Sequence, residues 1–372
     1  MSTEYDAIVI GAGIAGAGVA AELAADRRVV LLEQEERPGM HTTGRSASLH
    51  SETYGGPCVR LLSRASRAHF LEGVEGRPFA TPCGSLYLAT EAQLDRLDAF
   101  ASQPTVAPAV DRIGESALRA FIPLLRPGVV VAALFERDAC GLDVDAIHGD
   151  FLKRFRRAGG TLRCSAPVTG LDHAGGQWRV AAGGQSFRAP LVINAAGAWG
   201  DVVAALAGVR PLGLQPRRRT VALVDPPAGV DPGAWPMAVD IDEQFYFKPD
   251  AGRIIVSPAD ETPMPPCDAW PEDIDVAIAI DRVQQVIDLP VHRVSHSWAG
   301  LRTFAPDRSP VAGFDTEAPG FFWLVGQGGY GIQTAPALSR LAAALARGET
   351  IPADLEAIGL QASDLAPDRL AR

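Results

Sequence analysis

Three groups of residues in this chain have types and spacings that could do chemistry. The first is Gly11, Gly13 and Gly16 in G-x-G-x-x-G spacing, with Glu33 twenty residues beyond Gly13. Gly11 permits a tight turn, Gly13 lets a pyrophosphate approach the backbone, and Gly16 allows close packing of helix on strand. A carboxylate at the distance of Glu33 accepts the hydroxyls of a ribose, and it disfavours a 2′-phosphate. The second is "HTTGRSASLH" (41–50), one arginine among small hydroxyl residues, closed by an imidazole. The third is "FFWLVGQGGYGIQ" (321–333), an apolar run that ends in glycines.

Elements must position these residues. Residues 7–10 and 29–32 read as two short buried strands, and a helix opens at the glycine turn between them, so that its free amides and positive end meet phosphates. Strand, helix, second strand and terminal acid in register point to an adenine-dinucleotide site, with Ala15 and Gln34 beside the turn and the acid. A nicotinamide enzyme would usually continue into another plain β-α-β repeat. Here Thr42, Thr43, Gly44, Arg45, Ser46, Ala47, Ser48 and Leu49 follow instead. Hydroxyls and exposed amides suit the pyrophosphate and ribityl chain of FAD, and Arg45 suits negative charge.

After the third group the spacing predicts a helix over 334–347, its N-terminus behind Gly328, Gly329, Tyr330, Gly331, Ile332 and Gln333. Such a terminus stabilises the charge of a reduced flavin. "LVINAAGAWGD" (191–201) reads as a strand ending on small residues, where Ala196 and Gly197 let a ligand approach. Asp201 there would complement a helix start. "APVTGL" (166–171) reads as a strand whose Val168 could touch adenine.

These pieces together resemble the D-amino-acid oxidase family of flavoproteins, most closely its FAD-dependent D-arginine dehydrogenase branch. "VIGAGIAGA", "HTTGRSA", "NAAGAW", "GVRPLGLQPRRR", "FYFKPDAG", "WAGLR" and "QGGYGIQT" occur in family order, through nearly the whole chain. The resemblance implies an α/β fold, with a Rossmann-like FAD-binding domain (1–84, 140–214 and 296–372) and a discontinuous mixed-sheet α+β substrate-binding domain (85–139 and 215–295). It implies that 42–49 wraps FAD where the pyrophosphate gives way to the flavin. No cysteine lies in the C-terminal glycine loop, so non-covalent attachment is expected.

An amino-acid substrate needs its carboxylate clamped and its Cα–H held against the flavin. Arg302 is the expected clamp, because a guanidinium grips a carboxylate with two parallel bonds. By resemblance Arg219 is a second contact, while Tyr54 and Tyr246 donate hydroxyls. The rest of the arginine triplet 217–219 is expected to be a solvated charge run. Gly300, Gly329 and Gln333 are placed beside the substrate. His50 falls one position after the place where the family invites a histidine, and Leu49 occupies that place. His50 is therefore read as a loop residue and His296 as a core imidazole. Ser85 stands where the D-arginine branch has an acid, so preference is expected to move to neutral or apolar side chains. Leu49, Leu86 and Met237 are expected as walls, and Glu52 is expected in solvent.

The expected activity is FAD-dependent oxidative deamination of D-amino acids to imino acids, then hydrolysis to 2-oxo acids and ammonia. Three alternatives stand beside it: a glycine- or sarcosine-type amine oxidase or 2-hydroxy-acid enzyme, a D-arginine dehydrogenase proper, and a flavin-bearing subunit that needs a partner chain. Oxygen and quinone both stay open as electron acceptor.

The bulk numbers agree with such an enzyme. The chain has 372 residues, 47% hydrophobic and 21% charged, and its net charge of −10 argues against a nucleic-acid partner. Five scattered cysteines without a C-x-x-C pair suggest reduced thiols and no metal site. With no signal-like start and no apolar run long enough to span a bilayer, a cytoplasmic location is expected.

Overall fold

The computed structural model describes residues 3–370. Strand Ala7–Ile10 is wholly buried, as a strand covered on both faces must be. It pairs in parallel with Val29–Leu32 on one side and Leu191–Asn194 on the other. Thr161–Arg163 and Phe321–Val325 extend this sheet in parallel, and Val311–Phe314 closes its edge antiparallel.

Helices Ile14–Leu23, Pro57–Glu72, Val144–Arg157 and Gly331–Ala346 pack on one face, through residues such as Val9, Leu31, Leu23, Leu62, Phe151 and Leu338. The other face lies against a four-stranded sheet that includes Gln177–Ala182 and Gln185–Ala189, with Ile8, Val30, Trp178 and Phe187 between. A Cβ at Gly16 would run into the Gly11 carbonyl, so the first helix approaches its strand as closely as a glycine permits.

The second large element is a ten-stranded mixed sheet. Its backbone is the long antiparallel pair Gln215–Val224 and Val294–Phe304. Outward from it lie Arg253–Ser257, Tyr246–Asp250, Met237–Asp240, Ser85–Ala89, Ala132–Glu136 and Asp111–Gly114. Side chains alternate across it. Ala222, Ile254, Val256, Leu86 and Leu88 pack with Ala279 and Val283 of helix Asp273–Val286. Val221, Ile255, Tyr246, Val239 and Tyr87 form a separate cluster on the opposite face.

The helix expected over 334–347 runs Gly331–Ala346. It starts earlier because the Tyr330 carbonyl already accepts the Thr334 N–H at 3.1 Å, which brings Gly331, Ile332 and Gln333 into the first turn. Asp201 does more than complement its helix. Its carboxylate accepts the backbone N–H groups of Leu212, Gly213 and Leu214 at 2.7–3.0 Å, folding the chain back toward the long strand pair. The five cysteines are free. Among the described residues no helix is long and apolar enough to cross a membrane.

The contact between Gly16 and Gly11 gives a direct prediction. Gly16→Val forces the first helix off its strand and is expected to cost about 1–3 kcal/mol, read as a lower midpoint of thermal unfolding.

Candidate functional site

A cavity of ≈ 300 Å³ opens between the two large sheets. The turn after the first strand forms one wall, where Gly11 holds φ +97° and Gly13 caps a helix that has no side-chain cap. Ala15 lines the cavity beside it. Glu33 is buried at the end of the second strand; its Oε2 accepts the Ala12 N–H at 2.9 Å and its Oε1 the Glu35 N–H at 3.1 Å. Gln34, Val168, Ala196 and Gly197 line the same cavity. So do Met40, Trp199 and Leu206, which sequence reasoning did not single out.

Segment 41–48 forms the next wall and is tied down from both sides. Thr43 Oγ1 accepts the Ile14 N–H at 3.0 Å, and Thr42 donates its hydroxyl to the Leu301 carbonyl at 2.7 Å. Ser46 Oγ accepts the Ser48 N–H at 3.0 Å, and Ala47 and Leu49 complete the lining. Arg45 does not hold its guanidinium free for an anion. Nη1 donates to the Ala269 and Ala299 carbonyls at 2.8 and 3.0 Å, and Nη2 pairs with Asp268. Two carbonyls and a carboxylate converge there from strands and loops far away in sequence, so the arginine braces segment 268–269 against the long strand.

Several residues expected at the cofactor or the substrate lie off this cavity, among them Gly16, Gly44, Tyr330 and His50. Gly16 packs against Gly11, and Gly44 donates its N–H to the Gly39 carbonyl at 2.8 Å, closing the turn beneath the loop. Tyr330 turns its ring edge-on to Tyr54 with centroids 5.1 Å apart. His50 is 1% exposed, bonded through Nε2 to the Ser63 carbonyl at 2.9 Å and edge-on to Phe70, and burial holds its pKa below the usual imidazole value. The alternation of a strand explains His50: Leu49 faces the cavity, so its neighbour points into the helices. His296, expected in the core, is exposed and stacks on Trp298.

Arg302 and Arg219 reach the cavity from neighbouring strands of the ten-stranded sheet. Arg302 is 7% exposed; its Nη2 donates to the Tyr54 hydroxyl at 2.9 Å, while its Nη1 has no hydrogen-bond partner among the described residues. Arg219 donates from Nε to the Asp260 carbonyl at 2.9 Å, and its Nη2 is likewise unpartnered. One carboxylate serves both: Glu261 Oε1 lies 3.6 Å from each guanidinium, and Arg308 anchors that carboxylate with two bonds of 2.7 and 2.9 Å. Burial works against ionisation of Glu261, but the Arg308 bond and the three arginine charges outweigh it and lower its pKa.

Arg219 lies 6.0 Å above the Tyr246 ring. Burial pushes the Tyr246 hydroxyl up, with Arg219 opposing it, so Tyr246 stays a proton donor at neutral pH. Gly300, Gly328, Gly329, Gly331, Ile332 and Gln333 also line the cavity, and a Cβ at Gly329 would occupy the place of the Arg302 guanidinium. The other two arginines of the triplet are not a solvated run. Arg218 is buried against Glu272 and Asp275 on the opposite face, and Arg217 donates to the Glu261 carbonyl at 3.1 Å.

A side cavity of ≈ 20 Å³, room for about one water, is lined by Leu49, Tyr54, Ser85, Tyr87, Arg219, Val239, Glu243, Tyr246 and Ala259. Leu86 is no wall: two-residue alternation sends it to the helix side with Leu88, and the same alternation identifies Tyr87 as the missed neighbour of Ser85. Met237 is on the correct face, opposite Ser85 in register, but only Val239 of that strand lines the side cavity. Glu52 lies outside both cavities and is not solvent-borne, pairing with Arg64 at 3.3 Å and Arg67 at 3.5 Å. Glu243, which no spacing rule singles out, comes from a turn and stands 3.5 Å from the Tyr54 hydroxyl.

Because Arg302 fills the space a side chain would need at 329, Gly329→Ala is expected to displace the guanidinium at a cost of about 1–3 kcal/mol. A roughly 5- to 100-fold weaker grip on a carboxylate ligand, with the cofactor's visible spectrum retained, is the result to look for in a titration.

The family described as FAD dependent oxidoreductase, DAO, matches residues 6–345. In sequence, the tRNA 5-methylaminomethyl-2-thiouridine biosynthesis bifunctional protein of Burkholderia multivorans is 28% identical over 349 residues, covering 82% of this chain and 48% of that protein. The chain spans about half the length of the curated relatives it matches. In structure, L-proline dehydrogenase from P. horikoshii aligns at TM-score 0.86 and 21% identity, over 100% of this chain and 99% of that one. Glycine oxidase from Geobacillus kaustophilus aligns at TM-score 0.81 and 20% identity, over 97% and 99%. These two likenesses show a shared fold. The family match runs from the strand before the glycine turn into the last long helix, and it takes in every wall of the cavity: the chain belongs to the DAO family of FAD-dependent oxidoreductases.

Proposed function

We propose that this enzyme oxidises the Cα–N bond of a D-amino acid with a neutral or apolar side chain. The imino acid that leaves is hydrolysed by water to a 2-oxo acid and ammonia. One observation carries the reading: Arg302 and Arg219 line the cavity together, and Arg302 Nη1 and Arg219 Nη2 make no hydrogen bond among the described residues, with Glu261 Oε1 3.6 Å from each as a shared charge partner. A buried donor is costly until an acceptor arrives, and a carboxylate offers oxygens to both. Tyr54 and Tyr246 stand beside that position as hydroxyl donors.

The cavity's donor set suits FAD along its length. Gly11, Gly13, Ala15, Glu33 and Gln34 would hold the adenosine and pyrophosphate half, with Val168, Ala196 and Gly197 around it. Thr42, Thr43, Ser46, Ala47, Ser48, Leu49, Gly328, Gly329, Gly331, Ile332 and Gln333 would hold the flavin half, against the uncapped start of helix Gly331–Ala346. On this reading 1–84, 140–214 and 296–372 hold the cofactor, 85–139 and 215–295 hold the substrate, and strand Val294–Phe304 serves both. When bound, FAD supplies the two-electron acceptor for the hydride that leaves Cα.

The chain's own contribution is position. Two guanidiniums and two hydroxyls fix the carboxylate, and that fixes the Cα–H next to it. Among the described residues no imidazole lines the substrate end, since His50 is turned into the helices, and Tyr246 holds its proton. The amine therefore binds neutral; loss of hydride from Cα leaves the C=NH2⁺ iminium, which gives one N–H proton to solvent to become the imino acid. Accordingly kcat/KM is expected to climb with pH toward the amine's own pKa, without a step near that of histidine. A pH profile with two amino acids of different amine pKa checks this, because the rise must move with the substrate.

The small side cavity and the neutral Ser85 favour a small uncharged substituent. Glu243 at the same cavity supports a second reading, a cationic side chain of the D-arginine kind. The amino acids in the names of the two structural neighbours, L-proline and glycine, support the substrate class and keep a glycine-type oxidase as an alternative. The test is anaerobic mixing of the yellow protein with D- and L-amino acids, glycine, sarcosine, D-arginine and 2-hydroxy acids. Bleaching fastest with small neutral D-amino acids is the expected result. Fastest bleaching by L-forms or by 2-hydroxy acids overturns it, and a protein that nothing bleaches points to a flavin subunit needing a partner. In the same assay Arg302→Lys keeps the charge but loses the fork, and kcat/KM is expected to fall roughly 10- to 100-fold.

A further inference from the structure

Glu136 is a buried carboxylate that neither cavity touches. It ends strand Ala132–Glu136, opposite Ser85 in register, and is 1% exposed. Three donors of one short turn converge on it. Ser51 and Thr53 donate their hydroxyls to Oε2 at 2.6 and 2.7 Å, and the Glu52 N–H donates to Oε1 at 2.7 Å. Ser51 Oγ in turn accepts the N–H groups of Thr53 and Tyr54 at 3.2 and 3.1 Å. Thr53 Oγ1 meets the Tyr87 hydroxyl at 2.9 Å. From the other side Gln333 takes the Ser51 N–H on Oε1 at 3.3 Å and donates from Nε2 to Ser63 at 2.9 Å.

This network delivers Tyr54, whose hydroxyl accepts from Arg302 at 2.9 Å. A carboxylate brought out of water costs several kcal/mol unless its oxygens are satisfied, and here the satisfying groups all belong to the turn that carries Tyr54. No neutral side chain reproduces the pattern. A leucine would strand all three donors, and a glutamine would present its own NH₂ where a donor already points.

We propose that Glu136 is a positioning residue, one whose carboxylate folds the turn 51–54 so that the Tyr54 hydroxyl is held on Arg302 and faces the substrate carboxylate. The inference rests on the carboxylate-clamp reading above. It assigns Glu136 no contact with substrate, so its effect on binding must pass through Tyr54.

That requirement can be measured on the oxidised holoenzyme with benzoate, a carboxylate with no oxidisable Cα–H, titrated against the flavin's visible band. Glu136→Gln and Tyr54→Phe are each expected to weaken benzoate roughly 3- to 10-fold. The double variant should be no weaker than Tyr54→Phe alone, because the carboxylate has nothing left to position. Multiplying fold-changes, or a Glu136→Gln that binds benzoate like wild type, overturns the inference. If Glu136→Gln fails to fold or to keep FAD, Ser51→Ala takes its place in the same cycle: a non-additive cycle supports the inference, and an additive one or wild-type binding overturns it. Arg302→Lys separates the two levels of the claim. If benzoate leaves the wild-type band unmoved, or binds Arg302→Lys and Tyr54→Phe as tightly as wild type, the clamp reading falls and the inference with it. If both variants weaken binding and the cycle is additive, the inference alone falls.

Discussion

A guanidinium buried beside a cavity is the constraint on which the site depends. The charge of Arg302 cannot shed its proton to escape burial, so the protein must surround it. The Tyr54 hydroxyl takes one nitrogen, and the Glu261 carboxylate stands 3.6 Å from another. The Phe304 and Tyr330 rings lie 5.3 and 5.6 Å from its centre. Each of these has its own requirement. Glu261 is kept in place by Arg308, Tyr54 by the turn over Glu136, and Gly329 is bare because the guanidinium needs its space. What stays without a hydrogen bond among the described residues is Nη1, the nitrogen beside Glu261.

The cavity exists because two sheets with different rules meet. The mainly parallel sheet is covered on both faces and ends its strands at Gly11, Glu33 and Ala195, two of them small residues and the third an acid bonded back to the Ala12 N–H. The ten-stranded sheet is covered by a helix on one face and turns the other toward the ligand space. Segment 41–48 bridges them, bonded to the helix start through Thr43 and to the long strand pair through Thr42, Arg45 and Trp298. A cofactor lying there would touch both sheets at once.

Much of this was legible in the residues. The glycine spacing, the two apolar runs and Glu33 specify the β-α-β unit, because local sterics and short-range packing determine it. The glycine loop before the last long helix was legible for the same reason, and its helix, expected over 334–347, runs Gly331–Ala346. Legibility failed where a residue's partner is remote in sequence. Arg45 reads as an anion ligand from its loop, yet its partners are Asp268, Ala269 and Ala299. Leu86 reads as a pocket wall until strand parity sends it to the helix. Glu136 shows no motif, since a carboxylate at a strand end is ordinary until a distant turn folds over it.

The sequence by itself determined the family, the cofactor and the strand and helix around the dinucleotide turn. The glycine turn and its acid are consequences of short-range spacing, and the family follows from motifs kept in one order along the chain. It also nominated Arg302, Arg219, Tyr54 and Tyr246. Only the tertiary structure decided that Arg302 and Arg219 share one carboxylate, that His50 turns away while Leu49 faces in, and that Glu243 and Tyr87 meet Ser85. Those outcomes depend on the register of paired strands and on side chains far apart along the chain. A buried charge selects its partners by distance in space, and spacing along the chain does not encode that distance.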